Sequence, residues 1–148
     1  MTIRSPLAFL GLALVLACGG GSGGGGDTGA SYTPPPGPPA NTVWVGGSGG
    51  YGGGTTAFDP ATLTVPAGTT VTFSFQGGTH TVTSYTLTTD ATSKTFTSIP
   101  SASSGDHPVQ FPTAGTYYYY CTYHGNFFGT FPNATQEATG MAGKIVVQ

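Results

Sequence analysis

At 148 residues the chain is long enough for one domain and short for two, and only 5% of it is Asp, Glu, Lys or Arg, for a formal charge of -2. It has no basic surface with which to neutralise a phosphate backbone, so no nucleic-acid partner is expected. Thr, Gly, Val, Tyr and Phe outweigh the helix formers, which makes the expected class all-β.

The N-terminus carries one positive charge at Arg4 and then an apolar run from Pro6 to Ala17, too short to span a bilayer and suited to the h-region of an export signal over 1–17. The run ends in Val15-Leu16-Ala17-Cys18, which resembles the bacterial lipobox, with Val15 where Leu is more usual. That resemblance implies lipid on Cys18 and a membrane anchor. Gly19 and Gly20 follow where an Asp would tend to mark inner-membrane retention, which leaves the outer membrane open if the cell is Gram-negative. Residues 18–40 are Gly-rich and then Pro-rich, with almost nothing to bury, and read as a linker.

Folding material begins at Asn41 and gives one expected domain over 41–148. Thr42-Val43-Trp44-Val45 reads as a strand, and Gly46 to Gly54 as an irregular loop without the Lys or helix of a phosphate-binding turn. Leu63 and Val65 alternate with threonines, as do Val71, Phe73 and Phe75 across the turn Pro66-Ala67-Gly68, which predicts two half-buried strands. Alternation continues over Thr79 to Leu87, with His80 on the face of Val82. Short strands are predicted at Phe96 to Ile99 and Val109 to Phe111, and a closing one over Gly143 to Gln148. Seven or eight strands at this spacing predict a Greek-key β-sandwich.

Gly115 to His124 is an aromatic strand running into Cys121-Thr122-Tyr123-His124. With Cys18 assigned to lipid, Cys121 is a lone thiol beside a histidine: a nucleophile, a metal ligand or an inert buried thiol. A cysteine hydrolase would need a helix N-terminus or a further polar partner to activate the thiol, and the strand supplies neither. Structural zinc prefers four strong ligands in Cys-rich sets, and one thiolate is on offer.

Four segments in order, Phe58-x-Pro60-x-x-Leu63-x-Val65-x-x-Gly68-x-x-Val71-x-Phe73, His80-Thr81-Val82, Gly115-Thr116-Tyr117-x-Tyr119-x-Cys121-x-x-His124 and Met141-x-Gly143-x-Ile145-Val146-Val147, resemble the plastocyanin-like cupredoxins over nearly all of 41–148. The resemblance implies one copper ion held by His80, Cys121, His124 and an axial Met141. Two imidazoles, a thiolate and a distant thioether suit a type 1 site that accepts both Cu(I) and Cu(II). Where the family has a few residues between the second His and the Met, this chain inserts 126–139, which leaves Gln136 or a carbonyl near Gly78 as rivals for the axial place. Thr81 stands where the family commonly has Asn and offers a hydroxyl brace instead.

The resemblance further implies a monomeric carrier of single electrons, not an enzyme, working outside the cytoplasm between a redox donor and acceptor. Those partners are expected to dock near His124 and the Phe127-Phe128-Phe131 loop, whose other reading is a satellite cluster over the sandwich end. Tyr120 matches the family's exposed aromatic beside the cysteine or else covers the sheet, and His107, off the motif, is expected at the surface. The alternative is a copper storage or delivery module, which would favour a Met-rich or His-rich exposed site; the chain has only two Met. A fragment of a multicopper oxidase or nitrite reductase would need a His-Cys-His run, and Tyr120 and Thr122 flank Cys121 instead.

Overall fold

The computed structural model describes residues 36–47 and 56–148. The export signal, Cys18, most of the linker and most of the glycine loop lie outside the described residues. Pro34–Gln148 forms one compact unit.

Among the described residues the chain is all β. The strands are β1 (Thr42–Val45), β2 (Phe58–Asp59), β3 (Thr62–Val65), β4 (Thr69–Phe75), β5 (His80–Leu87), β6 (Ser93–Lys94), β7 (Ile99–Ala102), β8 (Gly105–Phe111), β9 (Gly115–Asn126), β10 (Gly129–Thr130), β11 (Asn133–Ala134) and β12 (Thr139–Val147). Eight of the twelve have four residues or more, within the expected seven or eight; the others are two-residue bridges. One sheet runs β2-β1-β4-β8 and the larger runs β10-β11-β5-β9-β12-β3, with β6 on β9 and β7 on β5. Parallel pairs β1–β4 and β3–β12 lie among antiparallel ones.

The period-two pattern explains the sandwich. Val71, Phe73 and Phe75 from β4 meet Tyr117, Tyr119 and Cys121 from β9 and Ile145 and Val147 from β12 in one buried core. Burial of each such side chain contributes about 1.5–3 kcal/mol. Phe73 and Phe58 pack edge-on to the ring of Tyr119, with centroids 5.2 and 4.8 Å apart. The other face of β9 is also covered: Tyr118 and Tyr120 join Tyr85, Leu87, Ala134 and Ala138 in a second cluster.

Three predicted strands differ in extent. Phe96 to Ile99 is not a strand; the Phe96 N–H donates to Ser84 Oγ and the Ser84 N–H to Ser98 Oγ, so hydroxyls replace the ladder while the Phe96 ring still reaches the core. β8 begins at Gly105, earlier than the apolar pattern suggests, because it pairs with all of β4 in register. β12 begins at Thr139 because the far arm of the 126–139 insertion pairs with the near arm, Thr139 opposite Asn126 and Gly140 opposite Gly125.

Of the two places open to the phenylalanines of the insertion, around His124 or in a satellite cluster on the sandwich, Phe127 takes the second. The insertion folds over the outer face of the larger sheet, where β11 pairs with the end of β5 and Phe127 stacks on Tyr120 (5.3 Å) and meets Tyr85 edge-on (5.4 Å). The driving force is the apolar area of a tyrosine-rich face that would otherwise meet water. Tyr120 is consequently buried, 8% exposed, and covers the sheet rather than standing as an exposed ring. His107 is half-buried on the ring of Phe75.

Candidate metal centre

His80 opens β5 and is 2% exposed; Cys121 lies in β9 and is fully buried. His124, three residues on, is exposed. A break in the β9–β12 register creates the space between them. Tyr120 pairs with Ala142 and Gly125 with Gly140, so the four residues Cys121 to His124 are bowed out opposite Met141 alone.

This bow turns Cys121 and His124 toward the start of β5. His80 Nδ1 and His124 Nδ1 are 3.1 Å apart, Cys121 Sγ is 3.4 Å from His124 Nδ1, and it is 3.8 Å from His80 Nδ1. A circle through corners at these separations has a radius of about 2.0 Å, the length of a bond from a first-row metal to imidazole nitrogen and about 0.3 Å short of one to sulfur. The three side chains can hold one metal ion. A one-thiolate, two-imidazole triangle fits the donor preferences of copper better than those of structural zinc.

No family model and no curated protein sequence matches the chain. Among solved structures it is similar to oxidised plastocyanin from Dryopteris crassirhizoma, at 22% identity over 72% of this chain and 99% of that one, with a TM-score of 0.50. The chain has the cupredoxin fold. A purple cupredoxin from Nitrosopumilus maritimus (21% identity, 72% and 98% covered, TM-score 0.46) and a P52G mutant of amicyanin in its reduced Cu(I) form (22%, 72% and 80%, 0.45) are further similar structures.

Within this cupredoxin fold, the seat of His80 is made by glycines. A Cβ on Gly46 would come within 2.4 Å of His80 Nε2 and one on Gly78 within 2.7 Å, and both have positive φ (81° and 72°). Nε2 is buried against these glycines, on the side of the Gly77 carbonyl. Burial first, and then the neighbouring His124, hold His80 below the ordinary histidine range, while the backbone of Gly77 pulls weakly the other way. His80 is thus neutral at neutral pH, the form that donates to a metal.

Thr81 ties the two halves of the site together. Its backbone N–H points at Cys121 Sγ (3.4 Å), and its Oγ1 accepts the N–H of Thr122 (2.9 Å) and a hydrogen bond from Thr83 Oγ1 (3.0 Å). The expected hydroxyl brace is present in this network. A threonine ladder did not stand out in the sequence because threonines are common in every strand here; pairing of Thr81 with Thr122 across β5 and β9 is what gives it meaning.

Met141 is 1% exposed and shares the core cluster of Cys121. Gln136, a rival for the axial place, is exposed on the insertion after β11. Above the site a depression of ≈ 470 Å³ is lined by Thr56, Gly78, Thr79, His80, Tyr123 and His124. Among the described residues, the rings that face His124 are His80 (4.8 Å) and Tyr123 (6.2 Å), not the three phenylalanines of the insertion.

Proposed function

We propose that the chain is a type 1 blue copper protein that carries single electrons. The observation that carries this reading is the triangle of His80 Nδ1, Cys121 Sγ and His124 Nδ1, sized for a metal and made of donors that satisfy both oxidation states of copper. When bound, copper supplies the one-electron couple.

The protein's own residues do the rest. The glycine seat and the core hold His80, the Thr81 network holds the thiolate loop, and both sit in rigid sheet, so little reorganisation accompanies a change of charge at the site. Met141 is the proposed axial ligand, since it is the one β12 residue inside the bow of Cys121 to His124. The exposed edge of His124, beside Tyr123, is the proposed exit for electrons toward a protein partner. Lipid on Cys18 and a Gly/Pro linker would place this carrier at a membrane outside the cytoplasm, and similarity to the fold of plastocyanin supports a carrier over an enzyme.

The test is to add Cu(II) to the purified protein and record its visible and electron paramagnetic resonance spectra. An intense thiolate-to-copper band is expected, lost in Cys121→Ser. A Cu(II) spectrum of nitrogen and oxygen ligands alone would overturn the reading.

A further inference from the structure

The outer face of the larger sheet holds a chain of aromatic rings that copper binding does not use. It begins at Tyr120, the residue before Cys121. The Tyr120 ring meets Tyr85 edge-on at 5.8 Å, and Tyr85 lies 5.8 Å from Tyr118. Tyr118 O–H then donates to Asp90 Oδ2 at 2.7 Å. Tyr118 is buried, 6% exposed, whereas Asp90 stands partly exposed in the turn after β5.

The two ends of this chain differ in a way that packing alone does not require. Asp90 is organised before Tyr118 reaches it: its Oδ1 accepts both the N–H (2.8 Å) and the Oγ1 hydroxyl (2.7 Å) of Thr92. Those bonds leave Oδ2 for the phenol. They also hold Asp90 below the ordinary carboxyl range, the Thr92 hydroxyl contributing most, so the acceptor is ionised at neutral pH. On the ring face of Tyr118 stands Lys144 Nζ, 5.7 Å from the centroid and itself paired with Glu137 at 3.0 Å. The carboxylate of Glu137 offsets that cation, so it does not decide the chemistry. An oxidised phenol is a strong acid, and Asp90 Oδ2, already hydrogen-bonded to the O–H, is in place to take its proton.

We infer that Tyr118 and Asp90 form a proton-coupled redox pair that drains oxidising equivalents from the metal site through Tyr120 and Tyr85. The oxidant is of the hydroxyl-radical class, produced when peroxide meets a reduced transition metal. It takes one electron from the ring chain and one proton from solvent and becomes water. Tyr118 replaces that electron as its O–H bond breaks, and the proton passes to Asp90 Oδ2 and on to solvent. The neutral phenoxyl left behind is restored by hydrogen-atom transfer from a soluble thiol. The radical ends beside a partly exposed carboxylate. The source of the oxidant rests on the copper reading, whereas the Tyr118–Asp90 chemistry does not.

The test uses the full chain without metal, in a background with Tyr32, Tyr51 and Tyr123 changed to Phe, oxidised by flash-generated ruthenium(III) tris-bipyridine. Freeze-trapped tyrosyl radical is read by electron paramagnetic resonance and its formation by transient absorption. The parent is expected to give a radical that forms more slowly in D₂O. Tyr118→Phe should lose most of the signal, and Asp90→Asn, which keeps shape and a hydrogen-bond acceptor, should slow its formation at least about tenfold. An undiminished signal in Tyr118→Phe, or a parent rate in Asp90→Asn, overturns the inference; should Tyr118→Phe fail to fold, Asp90→Asn decides alone. Because no metal is present, a missing blue band would sink the copper reading and leave this result standing, and the reverse holds as well.

Discussion

Gly125 on β9 stands opposite Gly140 on β12, and this pair closes the bow that carries Cys121 and His124. A Cβ on Gly140 would lie 2.6 Å from the carbonyl oxygen of His124, at a backbone φ of 74°. Gly140→Ala is therefore expected to push the His124 backbone away and to add strain of roughly 1–3 kcal/mol. The core strand beyond it, with Ile145 and Val147, should still form. Urea unfolding of the metal-free chain should show the loss of stability, and a metal titration should show weaker binding; a variant with wild-type values in both would show that the closing pair does not position His124.

Thr81 gives a second test of how the site is held. Thr81→Val keeps shape but removes the acceptor for the Thr122 N–H, and leaving that donor unpaired should destabilise the metal-free chain by about 1–3 kcal/mol, toward the lower end because the loop borders solvent. Thr81→Ser should restore most of it. If valine proves as stable as threonine and leaves the copper spectrum unchanged, the hydroxyl network is not a brace.

The strands were legible because they are written in a short-range pattern: alternation over Val71, Phe73 and Phe75 fixes which face is buried. The grouping of His80 with Cys121 and His124 was legible only through the family resemblance, since Cys121-x-x-His124 alone leaves several chemistries open; the structure brings the three together as a group able to hold a metal ion. What was not legible depends on pairing across long separations. The sequence of 126–139 does not say that Asn133 and Ala134 will sit beside Thr86 and Leu87, so the fate of Phe127 was open between His124 and the far face. Nor does the apolar pattern reveal that Ser84 and Ser98 will replace ladder bonds near Phe96.

Phe127 tests where the insertion belongs. The ring is half-buried against Tyr120, Tyr85 and Phe131, so Phe127→Ala should cost roughly 2 kcal/mol, about half the value for a fully buried ring. The copper spectrum should hardly change, because the cluster lies on the face of β9 opposite Cys121. A large spectral change with little loss of stability would put the loop at the metal centre instead.

Met141→Leu conserves volume in the core and should cost less than about 1.5 kcal/mol. If Met141 is the axial ligand, the leucine variant still binds copper through the triangle but with a higher reduction potential, since a weak donor to Cu(II) is gone. Met141→Gln should lower the potential, because an amide oxygen favours the oxidised ion. Identical potentials in all three proteins, measured by cyclic voltammetry, would remove Met141 from the ligand set.

The pH dependence of the metal-free chain has a different sign at each end of the range. His80 is held below its ordinary value, so its contribution is full above about pH 6.5 and is lost as pH falls, when folding must oppose protonation of a buried ring. Tyr85, Tyr118 and Tyr119 are raised, chiefly by burial, so their contribution is full below about pH 10 and is lost as pH rises past it. Urea midpoints should therefore be flat from about pH 7 to 9 and fall on both sides. Copper changes the acid limb: binding requires neutral imidazoles, so the stabilisation it adds should shrink as pH drops, and the gap between loaded and metal-free midpoints should close toward acid. A metal-free chain that gains stability as pH falls from 7 to 5 would contradict the buried, neutral state of His80 on which the proposed metal site depends.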